Sequence, residues 1–411
     1  MFTYIFRLFT FYVISSVFTS AALADTYSLQ YKVDLTRDTE HAYVSVVIPD
    51  AASVREIDFN LDKDFHSDVK ANGDLELEDG RARWQPPQKD AELTLKVKLN
   101  HKRRGDGYDS IREQDFAIFR GDDLIPPASV RTDKGVESKA SLNFTLPEHW
   151  TSVNSGWLKT EAATFDINDP ERNFDRPTGW FIAGKLGTRR ERMQDTHLAI
   201  SAPLGNAVKR MDVLSFVLLN WNTIKEVVGE TPEKILLVSA GDPMWRGGLS
   251  GPNSLFLHAD RPMVSENGTS TLLHELFHTI TSISGKDEDD WIAEGLAEYY
   301  SFDILHRAGG MTDERRTLVT EWLADWSKDV TTLYARSSSG ERTARAALLF
   351  DELDDEIKVH SDGKKSLDDA VKAMIQVGDV SLADLKEIVE SLTGKPSALL
   401  QNTELLATED K

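Results

Sequence analysis

Thr271-Leu272-Leu273-His274-Glu275-Leu276-Phe277-His278, with Trp291-Ile292-Ala293-Glu294-Gly295-Leu296-Ala297-Glu298-Tyr299-Tyr300 shortly after it, is the passage on which the second half of this chain turns. Leu272, Leu273, Leu276 and Phe277 recur at helical spacing and bury one side of a helix. His274 and His278 are four apart, so they stand one above the other and both imidazoles can reach a single ion. Glu275 follows the first His by one position, which directs it beside such an ion, placed to take a proton from an attacking water. The second segment opens another helix, close enough across Ser284-Gly285-Lys286-Asp287 to pack antiparallel against the first. A catalytic zinc takes three protein ligands and keeps one position open, which two His and one Glu satisfy. By residue type both Glu294 and Glu298 qualify, and four apart they share a face. The rival reading of the first segment is a chance pattern on a buried helix. With 10 His in 411 residues, composition alone produces H-E-x-x-H in very roughly one or two such chains per hundred.

Outward from this passage the chain divides by period. Toward the N-terminus, Val213, Leu214, Val217, Leu218, Trp221, Ile224 and Val228 fall on one helical face, and Ile235–Val238 and Ser254–His258 read as buried strands. After Gly268 the pattern is almost wholly helical: Ser366-x-x-Asp369 and Ser381-x-x-Asp384 mark helix starts, and Gly394 with Pro396 marks an end. Ser337-Ser338-Ser339-Gly340 is expected to be the most flexible spot of this half. From Thr26 to about Leu146 the period is two, clearest in Leu93, Leu95, Val97 and Leu99, which alternate with Thr94, Lys96 and Lys98. Alternation with turn residues such as Asn72-Gly73 and Asp79-Gly80 predicts an antiparallel β-sandwich. The expected organisation is therefore α+β: a sandwich over 25–150, a connecting region over 151–204, a mainly helical catalytic domain over 205–400 and a polar tail over 401–411.

The first residues read as a targeting segment. Arg7 precedes an apolar stretch, Leu8 to Phe18, and then Ala22-Leu23-Ala24. This order marks a cleavable secretory signal over 1–24, cut after Ala24. No second apolar run approaches the length of a membrane span, so no integral span is expected after its removal. The chain has no Cys, which excludes thiol catalysis, disulfides and Cys-based zinc sites. Export without disulfides favours a periplasmic or secreted address in a bacterium. The formal net charge of -21 repels phosphate backbones and argues against nucleic acid as a partner.

The paired motifs resemble those of the gluzincin, thermolysin-like metallopeptidases, whose second motif is W-x-x-E-G-x-A with Glu as third zinc ligand. That resemblance implies Zn2+ as cofactor, Glu294 as third ligand, and Glu298 as the carboxylate that orients a ligand imidazole. The segment between His278 and Glu294 is shorter than is common in the class, and the spacing by itself suits Glu298. Within the class the chain is similar to the glycyl aminopeptidase family that often carries a PDZ-type domain. Tyr31–Pro49 and Asn143-Phe144-Thr145-Leu146-Pro147 resemble parts of that family's β-domain, and Gly247-Gly248-Leu249 resembles its substrate strand. The similarity implies substrate binding by Gly247, Gly248, Leu249 and Ser250.

Three departures qualify what is implied. No PDZ-type domain fits the short tail. The acid that follows Gly-Gly-Leu in the family, which pairs with a substrate's free amino group, is Ser250 here. The Tyr-x-Lys-Gly motif is not recognisable near Gly340-Glu341-Arg342, so Tyr334 is the candidate oxyanion donor by position, with a packed surface Tyr as the alternative. His258 is read as a structural or capping His. The expected function is peptide-bond hydrolysis of peptides or unfolded segments outside the cytoplasm, endopeptidase-like or weakly aminopeptidase. The alternative is a non-catalytic peptide-binding protein on a degenerate peptidase scaffold. Asp260 and Glu266 are the acids near enough in sequence to stand in for the one lost at Ser250.

Overall fold

The computed structural model describes residues 26–401 and 404–406, apart from 104, 106, 170–172 and 207. The signal segment 1–24, its cut after Ala24 and most of the tail 401–411 lie outside the described residues. The chain is α+β, with its strands concentrated before Met263 and its long helices, apart from Arg210–Val228, after it.

The period-two pattern forms strands with one buried face. In Thr26–Asp34, Tyr27, Leu29, Tyr31 and Val33 are buried while Thr26, Ser28 and Lys32 are exposed. This strand sits inside a seven-stranded sheet, whose apolar face shares one core with Ile57, Phe59, Ala82 and Trp84 of a neighbouring four-stranded sheet. The large sheet is mixed, not antiparallel as the alternation suggested. Thr26–Asp34 pairs antiparallel with His41–Asp50 but parallel with Glu137–Thr145. Alternation reports only which face is buried, and the long chain between the parallel pair supplies the crossover such pairing requires.

The stretch 151–204 is also more than a connector. It carries the strands Ser152–Ser155, Leu158–Glu161, Thr164–Ile167, Trp180–Gly184, Leu186–Met193 and Thr196–Pro203, which are distributed over three sheets. Trp180–Gly184 is buried throughout, and such a strand lacks the alternation that reveals strands in a sequence.

Beyond it lies a five-stranded sheet in the order Leu186–Met193, Thr196–Pro203, Lys234–Ala240, Ser254–His258, Gly248–Gly251. Its three inner strands are parallel, and the helix Arg210–Val228 supplies one crossover. Gly248–Gly251 is an antiparallel edge strand lying against the helix Thr271–Thr281, termed below the His helix. The helices Asp290–Arg307 (the Glu helix), Asp313–Trp326, Glu341–His360, Leu367–Val377 and Leu382–Thr393 complete the half. Both expected capping boxes form, at Ser366 with Asp369 and at Ser381 with Asp384. Ser337–Gly340 contains no loose tip at Ser338, which is buried with its N–H tied to Asp290 Oδ2 at 2.6 Å. Ser337, Ser339 and Gly340 are exposed. Among the described residues no helix is long and apolar enough to cross a membrane.

Candidate metal centre

The His helix is specified at both ends. Ser270 is its N-cap, accepting from the Leu273 N–H at 3.3 Å while donating to Met263 O at 2.6 Å. Ser282 closes it in the left-handed conformation. Leu272, Leu273, Leu276 and Phe277 are buried, so the helix cannot rotate, and His274, Glu275 and His278 are left on its partly open side.

The Glu helix packs on this one. Phe277 stacks on Tyr300 with ring centroids 4.9 Å apart. On its other side Gly295 lies against the helix Glu341–His360, where a Cβ would stand 2.5 Å from Ala346 Cβ. The Gly of E-G-L-A therefore permits close helix contact, and that contact sets the height at which Glu294 is presented.

The crossing brings His274, His278 and Glu294 together. The two Nε2 atoms are 3.3 Å apart, His274 Nε2 is 3.5 Å from Glu294 Oε2, and His278 Nε2 is 3.4 Å from Glu294 Oε1. Ligand atoms on a tetrahedral zinc with bonds of 2.0–2.1 Å stand roughly 3.3–3.4 Å from one another, so the spacing fits such an ion. Two imidazole lone pairs facing each other at 3.3 Å repel unless a positive species lies between them. Burial pushes His274 down, yet hydrogen bonds to Glu294 and Glu298 outweigh it and hold the ring well above the usual range. Burial pushes Glu294 up, and its hydrogen bonds to His274 and His278 reverse this, holding the carboxyl well below the usual range. These are the electrostatics of a cation site.

Glu298 has a different part. Its Oε2 lies 3.1 Å from His274 Nδ1 and accepts that N–H, which fixes the tautomer leaving Nε2 free for an ion. Spacing alone left the two acids competing, and the helix crossing turns them toward different nitrogens of one ring.

Glu275 faces the edge strand. A Cβ on Gly248 would lie 2.5 Å from Glu275 Cγ and 2.9 Å from Oε1, so only Gly admits this carboxylate. The His258 N–H donates to Gly247 O at 3.0 Å, which turns Gly247, and by alternation Leu249, toward the neighbouring strand. The backbone groups of Gly248 and Ser250 then lie on the outer edge. Leu249 O also accepts from buried Trp180 Nε1 at 2.9 Å, which pins the strand to the β-rich half.

The remaining sequence candidates have other neighbours. Tyr334 lines a depression of about 550 Å³ with Lys286, Asp287, Glu288, Asp289 and Arg336, and burial pushes its hydroxyl up. His258 is buried, its Nδ1 accepting from the Asp260 N–H at 3.2 Å, which suits the structural reading. Asp260 follows the end of Ser254–His258 that pairs with Gly247, on the order of 15 Å along the strands from Ser250. At that distance Asp260 does not replace a charge at Ser250. Glu266 is exposed, and its backbone carbonyl accepts from Arg315.

The side chain that reaches Ser250 comes from the other half of the chain. Arg120 Nη1 donates to Ser250 O at 3.3 Å. Asp290, one turn before Glu294, is pushed up by burial and holds the 335–338 segment beside the centre through Ser338. No spacing rule links Arg120 to the metal motif, whereas Asp290 lies four residues before Glu294 on the same helix, and the sequence reading missed both.

No protein-family model matches this chain, and no curated protein matches it by sequence. Solved structures do match in fold. An aminopeptidase N family protein from Idiomarina loihiensis superposes with a TM-score of 0.71 at 14% identity, covering 93% of this chain and 76% of that one. An M1 zinc metallopeptidase from Deinococcus radiodurans gives 0.60 at 15% identity, covering 92% and 91%. A mutant of that enzyme bound to a Tyr-Ser-Ala substrate gives 0.60 at 14%, covering 94% and 95%. The chain thus has the fold of the M1 zinc metallopeptidases, itself a gluzincin fold. Those names differ from the glycyl aminopeptidase family to which the motifs were compared.

Proposed function

We propose that this chain is an exported zinc peptidase that hydrolyses peptide bonds with Glu275 as general base, cleaving within chains or acting only weakly as an aminopeptidase. The observation that carries the reading is the arrangement of His274, His278 and Glu294 at zinc-ligand spacing, with Glu275 held against an edge strand. Zinc at that site would supply Lewis-acid polarisation of the scissile carbonyl and lower the pKa of the attacking water. An extended peptide adds to the outer edge of Gly248–Gly251 through its main chain. Glu275 takes the proton of the attacking water and passes it to the leaving amine. Glu298 keeps the His274 ring oriented throughout. Peptide as substrate is supported by the Tyr-Ser-Ala complex of a fold neighbour, and export by the signal-like segment 1–24.

Ser250 supports the endopeptidase-like preference, because a hydroxyl cannot form an ion pair with a free α-amino group. Losing one partner of a desolvated ion pair costs about 2–5 kcal/mol. The test compares one peptide series with free and N-acetylated termini on the purified, zinc-loaded protein. Cleavage of both forms is expected, with Glu275→Gln retaining zinc and losing about 100- to 10,000-fold in kcat/KM. Residues released singly and only from free termini would restore a strict aminopeptidase.

One second reading is a peptide-binding protein that does not cleave, favoured by the absence of a recognisable Tyr-x-Lys-Gly motif near Gly340-Glu341-Arg342 and by Ser250. Peptide binding without turnover by the zinc-loaded protein would establish it. Tyr334→Phe tests the oxyanion assignment: a loss of about 100-fold or more in kcat supports it, and unchanged kcat removes it.

A further inference from the structure

Arg120 ends the strand Phe116–Arg120 in the β-rich half, and it crosses to the edge strand of the other half. Its guanidinium lies over the ring of Trp180 at 5.3 Å, the same indole that pins Leu249 O. Nη1 donates to Ser250 O at 3.3 Å and Nη2 to Asp122 Oδ2 at 3.4 Å. Two of five N–H donors are thus used among the described residues, and three are left to point elsewhere. The side chain is 28% exposed, enough for a ligand to reach it. Asp122 is shared: Arg176 Nη2 also lies 3.7 Å from its Oδ1, and its Oδ2 accepts the Gly179 N–H.

The position of this charge follows from strand geometry. Gly248 marks the general base, and Ser250 lies two residues along, about 7 Å away. A peptide adding to the outer edge in the more stable antiparallel sense runs its amino-terminal side toward Ser250. Substrate residues one to two positions before the cut therefore pass the Arg120 guanidinium. Stacking on Trp180 and the bond to Ser250 O hold that guanidinium in place, and a fixed planar fork suits a carboxylate.

We infer that Arg120 is a specificity-determining residue that selects peptides with an acidic side chain one or two positions to the amino side of the cut. The inference rests on the peptide-cleft reading above, and binding separates the two. The probes are three acetylated tetrapeptide amides with Glu-Glu, Gln-Gln or Lys-Lys followed by Ala-Ala, titrated onto zinc-loaded Glu275→Gln protein. The Glu-Glu peptide is expected to bind about five- to tenfold tighter than Gln-Gln, the range of a partly exposed charge-assisted pair, and Lys-Lys more weakly still. In the Arg120→Gln background the Glu-to-Gln ratio falls to within twofold, and in Arg120→Lys it is intermediate because the charge survives without the fork. Equal affinity for the Glu-Glu and Gln-Gln peptides overturns the inference. So does a ratio unchanged by Arg120→Gln, or no binding of any of the three. The three-peptide comparison decides the matter with Arg120 intact, should its variants fail to fold. A protein that binds the acidic peptide selectively but never cleaves it refutes the peptidase reading and leaves this one standing.

Discussion

Gly248→Ala is the sharpest test of how the general base is held. The added Cβ would stand 2.5 Å from Glu275 Cγ and 2.9 Å from Oε1, whereas carbon atoms pack best at about 3.5–4.0 Å. Either the carboxylate or the edge strand must therefore give way by about 1 Å. The strand is restrained by Trp180 and Arg120, and the His helix by its buried leucines, so the side chain of Glu275 takes most of the displacement. A displacement of about 1 Å at a reacting group costs about 100-fold in rate, equivalent to about 2.7 kcal/mol at the transition state. The three atoms nearest such a Cβ all belong to Glu275 and none to His274, His278 or Glu294, so zinc content should match wild type. The assay measures kcat/KM on an acetylated peptide together with bound zinc per chain. Activity within twofold of wild type at full zinc loading would show that Glu275 is not held by this contact. Loss of zinc along with activity would show that the strand supports the ligands themselves.

Glu298→Ala removes the acceptor of the His274 Nδ1–H and should weaken zinc binding by about 10- to 100-fold in a competition titration against a chelator. Glu294→Ala should release more zinc than Glu298→Ala, and the reverse order would exchange their roles. Gly295→Ala places a Cβ 2.5 Å from Ala346 Cβ, and overpacking of about 1–3 kcal/mol exceeds the roughly 1 kcal/mol that Ala adds in helix propensity. Denaturant unfolding should show a net loss, and a gain would mean that the two helices separate freely. Ser270→Ala deletes the N-cap bond to Leu273 and should cost about 1 kcal/mol of stability by the same measurement.

Much of this protein is legible locally. The strands of the first 100 or so residues after Thr26 announce themselves because a half-buried strand alternates. The His helix announces its chemistry because four residues make about one turn, so His274 and His278 align whatever surrounds them. The caps at Ser366, Ser381 and Gly394 are equally local, each being a side chain or conformation that meets backbone groups within a few residues.

What the sequence could not decide is where one segment meets another. The parallel pairing of Thr26–Asp34 with Glu137–Thr145 leaves the same alternation as antiparallel pairing would. The fully buried strand Trp180–Gly184 leaves no period at all. Ser338 looks mobile by composition and is held by Asp290. Glu294 and Glu298 share a helix face, and only the crossing of that helix over the first assigns them to different nitrogens of His274. Arg120 and Ser250 lie 130 positions apart and meet only because two sheets are packed together. Residue identity and local period determine which chemical groups are available and which way they face within an element. The packing of buried surfaces determines which of those groups come within reach of one another.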